Sequence, residues 1–183
     1  LKYFQNTHKN VFYMTVKPSM TGKTFWLSLF DALSPNEKIY FGLNTPRALY
    51  YIIRSAGKFL NSFDRSLLII DEAGKFSRVM LEQLHELRDE TAHSAGIVIA
   101  GPGYFYKNLT KWALHQRIGM PEIYRRINYW EELAAPERSE IKSFCSHYGI
   151  DDSDIVRKLT LACRNFGELY NQIVEFHAGN FRL

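Results

Sequence analysis

Two adjacent carboxylates, Asp71 and Glu72, close an aliphatic run, Leu67-Leu68-Ile69-Ile70. Carboxylates delivered by a buried strand can do two jobs beside a phosphate. One can hold a magnesium ion, usually through water, and the other can orient or deprotonate the water that attacks a γ-phosphate. Asp64-Arg65-Ser66 precedes the run and Ala73-Gly74 follows it, which fits a short central strand of a parallel sheet covered on both faces. Ligands collect beyond the carboxyl ends of such strands. On this reading the segment is a Walker B element, with Asp71 as the magnesium-linked acid and Glu72 acting on the water. The plainer alternative is an acidic loop after a buried strand.

A phosphate-binding loop is the partner such a strand requires, and Lys17-Pro18-Ser19-Met20-Thr21-Gly22-Lys23-Thr24 ends in Gly-Lys-Thr. Lys23 would then reach phosphate oxygens and Thr24 the magnesium ion. The remainder of the loop fits less well. Lys17 stands where the opening glycine belongs, and Met20 takes a second place where glycine commonly lets backbone approach phosphate. Average residue usage puts Gly-Lys-Ser/Thr by chance in roughly one chain in ten of this length, so the tripeptide alone is weak evidence. The flanks do not choose between readings. Residues 10–16 read as a strand and 23–33 as a helix, which suits a phosphate loop and equally a second βα unit that binds nothing.

The elements around these motifs alternate. Leu1-Lys2-Tyr3-Phe4 looks like the last turns of a helix running into the 10–16 strand, and with no initiator methionine a fragment lacking its beginning is expected. Residues 34–44 read as a loop in which Lys38-Ile39-Tyr40-Phe41 could form an edge strand. Thr45 then caps, and Pro46 starts, a helix whose apolar face is Leu49, Ile52, Ile53 and Leu60. Ser77 caps another, with Met80, Leu81, Leu84 and Leu87 at core-facing spacing, and 96–100 reads as a further buried strand. Strands alternating with helices predict an α/β fold with a parallel sheet. Beyond an Ala134-Ala135-Pro136 linker, 136–148, 153–163 and 166–177 carry helical spacing, so 1–133 is expected to be the α/β core and 134–183 a small helical lid.

Composition sets outer limits. With 183 residues, 46% hydrophobic and 23% charged, the chain can bury a core and is not disordered. No apolar run is long enough to span a bilayer and no signal-like leader is present, so no membrane partner and a cytoplasmic location are expected. Cys145 and Cys163 lack metal-ligand spacing and are expected to be idle thiols. A net charge of +4 is compatible with a polyanion partner without establishing one. Tyr104, Tyr106 and Trp112, with Lys107 and Lys111 nearby, could stack bases, although packing is the expected role for aromatics at helical spacing. Arg117, Arg125 and Arg126 could be solvated, or could reach a neighbouring subunit's nucleotide.

Taken together these segments resemble the MuB, TniB and TnsC type of AAA+ ATPase associated with DNA transposition. The resemblance is carried by 10–20, 67–76, 84–91, 96–103, 120–127 and Asn165-Phe166-Gly167-Glu168-Leu169, and is most specific at Asp71-Glu72 and at 124–127. It implies a P-loop NTPase-like (AAA+) parallel sheet flanked by helices and followed by a helical lid, with ATP and Mg2+ as cofactors. Carried over by position, Asp71 would be the magnesium-linked acid, Glu72 the catalytic base and Arg126 a trans-acting finger. The sensor position falls at Pro102, which offers no side-chain hydrogen bond, and the lid arginine falls near Gly167, leaving Arg164 as its substitute. The resemblance also moves the phosphate loop upstream of Leu1, making Gly22-Lys23-Thr24 a coincidental match.

The function so implied is an ATPase whose subunits assemble along DNA as a homo-oligomer, present that DNA to a transposase, and dissociate on hydrolysis. Turnover is expected only in the full-length oligomer. The alternatives are a non-hydrolysing AAA+-like DNA-binding or adaptor module, and an AAA+ ATPase of initiator or chaperone-like type.

Overall fold

The computed structural model describes residues 2–33 and 46–179. The loop expected at 34–44, its candidate strand and the capping Thr45 lie outside the described residues. The first elements are α1 (Lys2–Thr7), β1 (Val11–Thr15), α2 (Gly22–Leu33), α3 (Pro46–Asn61) and β2 (Ser66–Asp71). A 3-10 turn (Ala73–Lys75), α4 (Arg78–Thr91), β3 (Ala95–Ile99), α5 (Gly103–Leu114) and α6 (Met120–Arg126) follow.

The three strands form a parallel sheet in the order β1-β2-β3. Parallel neighbours need crossovers, which α2 and α3 supply between β1 and β2, and α4 between β2 and β3. The α/β expectation of a parallel sheet flanked by helices therefore holds. Register aligns Phe12, Leu68 and Ile97 in one row and Met14, Ile70 and Ile99 in the next. That face packs against Phe25, Trp26, Leu29, Ile52, Ile53, Leu81 and Leu84 to make one core. Ser77 caps α4 by accepting from the Met80 N–H, as its sequence position suggests.

Coverage of both sheet faces is where the sequence reading needs correction. On the opposite face Ile69 is buried, but Leu67 is only half-buried and Val98 is 43% exposed. The segment 96–100, read as a further buried strand, is β3, an outer strand of the described sheet that alternates between half-buried and exposed residues. An aliphatic run shows that a strand seeks cover without showing which face its neighbours supply.

Contacts divide the chain into two compact units, Leu1–Trp130 and Glu131–Leu183. The second contains α7 (Arg138–His147), α8 (Ser153–Ala162) and α9 (Phe166–His177) around its own core of Ile141, Cys145, Ile150, Leu159, Leu169 and Ile173. Cys145 and Cys163 are free and buried, and that burial pushes both thiols up. No described helix is long and apolar enough to cross a membrane.

Leu68 is fully buried in the middle of the central strand. Leu68→Ala should therefore cost about 2–5 kcal/mol in denaturant unfolding, whereas the half-buried Leu67 should cost clearly less.

Candidate functional site

β1 and β2 end side by side. Thr15 is the register partner of Asp71, and the Val16 N–H donates to the Asp71 carbonyl at 3.0 Å. Because side chains alternate along a strand, Tyr13, Thr15 and Asp71 share the less covered face. There the Tyr13 hydroxyl donates to Asp71 Oδ2 at 2.7 Å, and the Thr15 hydroxyl donates to Tyr13 Oη at 3.1 Å. The Glu72 N–H donates to Asp71 Oδ1 at 2.8 Å. Both carboxylate oxygens are thus held, and each retains acceptor capacity. Desolvation pushes the Tyr13 phenol up, the Thr15 hydroxyl opposes this, and Asp71 adds to it. A protonated phenol is the donor this arrangement needs.

Glu72 leaves the sheet with φ 62° and ψ 34°, a left-handed conformation. Such backbone costs a residue bearing a Cβ roughly 1–2 kcal/mol. It turns the chain into the 3-10 turn and leaves the Glu72 carboxylate exposed, 3.1 Å from Lys75 Nζ. Ion pairs this exposed are worth at most about 1 kcal/mol, so Glu72 is free to exchange this partner for water.

The β3 side closes tightly on the same turn. The Ala73 N–H donates to the Ala100 carbonyl at 2.9 Å. A Cβ at Gly101 would lie 3.1 Å from the Gly74 backbone nitrogen, and one at Gly74 would lie 2.5 Å from Tyr104 Oη. Glycine at both positions lets the two loops touch. Pro102 caps α5 without a side-chain hydrogen bond, while the Tyr104 phenol brings a polar group to the turn that the sequence reading overlooked.

At the start of α2, Thr21 and Thr24 cap each other. The Thr21 N–H donates to Thr24 Oγ1 at 2.8 Å, and the Thr24 N–H donates to Thr21 Oγ1 at 3.3 Å. The Thr24 hydroxyl also reaches the Thr21 carbonyl at 3.1 Å. This is a capping-box arrangement, so the hydroxyl that a phosphate loop would turn toward magnesium is occupied in capping the helix N-terminus. Lys23 is half-buried in the first turn.

Arg126, at the end of α6, donates to Asp89 Oδ1, which also takes Arg88 at 3.2 Å, while His85 Nδ1 lies 3.7 Å from Asp89 Oδ2. Asp89 lies eleven residues along α4 from Arg78, about 16 Å at the helical rise and away from the end that follows Asp71-Glu72. Arg126 is therefore not brought to the Asp71-Glu72 edge of its own chain. Arg164 belongs to the second unit, where its backbone N–H donates to Glu168 Oε2 at 2.8 Å.

Magnesium is usually held by one or two carboxylates together with waters and substrate phosphates. A half-buried Asp71, fixed at both oxygens with the Thr15 hydroxyl in the same network, fits that role. Among the described residues no cluster of three or more His, Cys, Asp or Glu could form an all-protein cage. Tyr13 and Thr15 are the residues that sequence reasoning missed. Their only signal is a polar pair at alternate positions of a strand, and its meaning depends on register with β2.

Two stability measurements probe this geometry. Thr21→Ala should lower unfolding stability by about 1 kcal/mol through loss of the cap. Glu72→Gly should raise it by up to about 1 kcal/mol, because relief of the left-handed strain exceeds loss of an exposed ion pair.

A protein-family model described as an AAA domain matches residues 1–109, more than half of the chain. No curated protein matches it.

Proposed function

The chain belongs to the AAA domain family, of ATP-binding P-loop ATPase type, and on that premise we propose that it is the ATPase core of a DNA-transposition target-selection regulator. It would act as a homo-oligomer on DNA and engage a transposase. One observation carries the ATPase part: Asp71 is fixed at both oxygens at the carboxyl edge of the central strand, and the strained residue after it presents a second carboxylate to solvent. The transposition part is supported by the resemblance of 67–76, 96–103 and 120–127 to the MuB, TniB and TnsC type.

Bound ATP with Mg2+ supplies the γ-phosphate and the cation that neutralises charge developing on it. Asp71 would hold the cation through its water shell. Glu72 orients the attacking water and accepts its proton, exchanging Lys75 for that water. Arg126 acts on a neighbouring subunit's nucleotide, in keeping with its separation from the acidic edge of its own chain. Lys23 and Thr24 are poor phosphate-loop residues, given the mutual cap of Thr21 and Thr24. Among the described residues the outer edge of β3 is unpaired and Val98 is 43% exposed, which supports the reading that a further parallel strand and helix complete the nucleotide site. The role of Arg164 as lid arginine rests on the resemblance alone.

A non-hydrolysing adaptor is the second reading, favoured by the lack of a hydrogen-bonding side chain at Pro102. Steady-state ATPase rates of the full-length protein and its Glu72→Gln variant separate the two. Loss of at least about 100-fold in turnover with nucleotide binding retained is expected of a general base, and equal rates would favour the adaptor. Absence of both ATP-dependent DNA binding and self-assembly would overturn the transposition reading.

A further inference from the structure

We propose that Tyr13 is a positioning residue for the magnesium-linked acid: its hydroxyl, backed by Thr15, fixes the Asp71 carboxylate in one orientation for a hydrated divalent cation. The inference rests on the reading of Asp71 as that acid. An aspartate at a strand end can rotate about both of its side-chain bonds. The Glu72 N–H restrains only Oδ1, at 2.8 Å, and leaves the carboxylate able to pivot about that contact. The Tyr13 contact at 2.7 Å comes from the neighbouring strand and falls on Oδ2, so the two donors together define the plane of the group.

Strand geometry makes this reach natural. Tyr13 pairs in register with Ile69, two residues before Asp71 and on the same face. That separation is about 6.6 Å along a strand, close to the length of a tyrosine side chain. Thr15 stands beside Asp71 in register and donates to Tyr13 Oη, which leaves the Tyr13 proton directed at the carboxylate. Chained hydrogen bonds of this kind polarise and strengthen one another. Partners that orient a ligating carboxylate change metal affinity without touching the metal.

The test uses Mn2+ alone as probe and the full chain, following paramagnetic broadening of the Glu72 amide signal. Wild type should broaden at a Mn2+ concentration that Asp71→Asn raises strongly. Tyr13→Phe should need about tenfold more Mn2+ than wild type, and Thr15→Val should shift the same way by less, both with circular dichroism and melting temperature close to wild type. If Tyr13→Phe fails to fold, the Thr15→Val titration decides alone. Wild-type Mn2+ dependence in the folded variants, with Asp71→Asn still defective, would overturn the positioning role and leave the metal site standing. Broadening that is indifferent to Asp71→Asn would overturn the metal reading, and this inference with it.

Discussion

β2 is hydrogen-bonded on both sides by parallel neighbours, and the acidic edge depends on that arrangement. Parallel strands send their carboxyl ends the same way, so the chain segments leaving β1, β2 and β3 converge on one line. The pairing continues past the strands themselves: the Val16 N–H donates to the Asp71 carbonyl and the Ala100 N–H to the Ile70 carbonyl. A slip of one residue would exchange the faces of Ile70 and Asp71, burying a carboxylate and exposing an apolar side chain. The core against which Leu68 and Ile70 pack makes that slip expensive. Hydrophobic burial on one face thus fixes the position of a charge on the other.

Having placed the carboxylates, the fold uses local strain and close approach to arrange their surroundings. Glu72 adopts left-handed backbone although it carries a Cβ, and the 3-10 turn after it packs so near Gly101 and Tyr104 that a Cβ at Gly74 would overlap the Tyr104 ring and one at Gly101 would press against the Gly74 backbone. Strain of this kind persists where surrounding contacts over-determine it, and it concentrates at functional sites. Here the contacts are the hydrogen bond from the Ala73 N–H to the Ala100 carbonyl just after β3 and the burial of Ala73 and Phe76. The two carboxylates consequently differ in character. Asp71 is half-buried and held at both oxygens, whereas Glu72 is exposed and pairs with Lys75, a flexible surface cation.

Much of this was legible in the linear chain. The aliphatic run ending at Asp71, the capping Ser77 and the helical spacing of Met80, Leu81, Leu84 and Leu87 are local signals, because burial and capping act over one strand or one turn. The Gly-Lys-Thr tripeptide stayed ambiguous for a physical reason. A threonine there can face a metal or close a capping box, and the mutual cap of Thr21 and Thr24 forms only along the folded backbone path. The faces of β3 were misread because strand composition does not reveal which neighbours cover it. The pairing of Arg126 with Asp89 spans 37 positions and two helices, and no local pattern announces it.

By itself, then, the sequence determined that an α/β sheet would carry Asp71 and Glu72 at a strand end, since alternation and burial are properties of short windows. Tertiary structure alone decided what surrounds them. Tyr13 and Thr15 meet Asp71 because β1 and β2 pair in one register, and Gly101 meets Gly74 because β3 ends beside the same turn. Those contacts join residues tens of positions apart through backbone hydrogen bonds between strands, and register is a property of the assembled sheet rather than of any one of its strands.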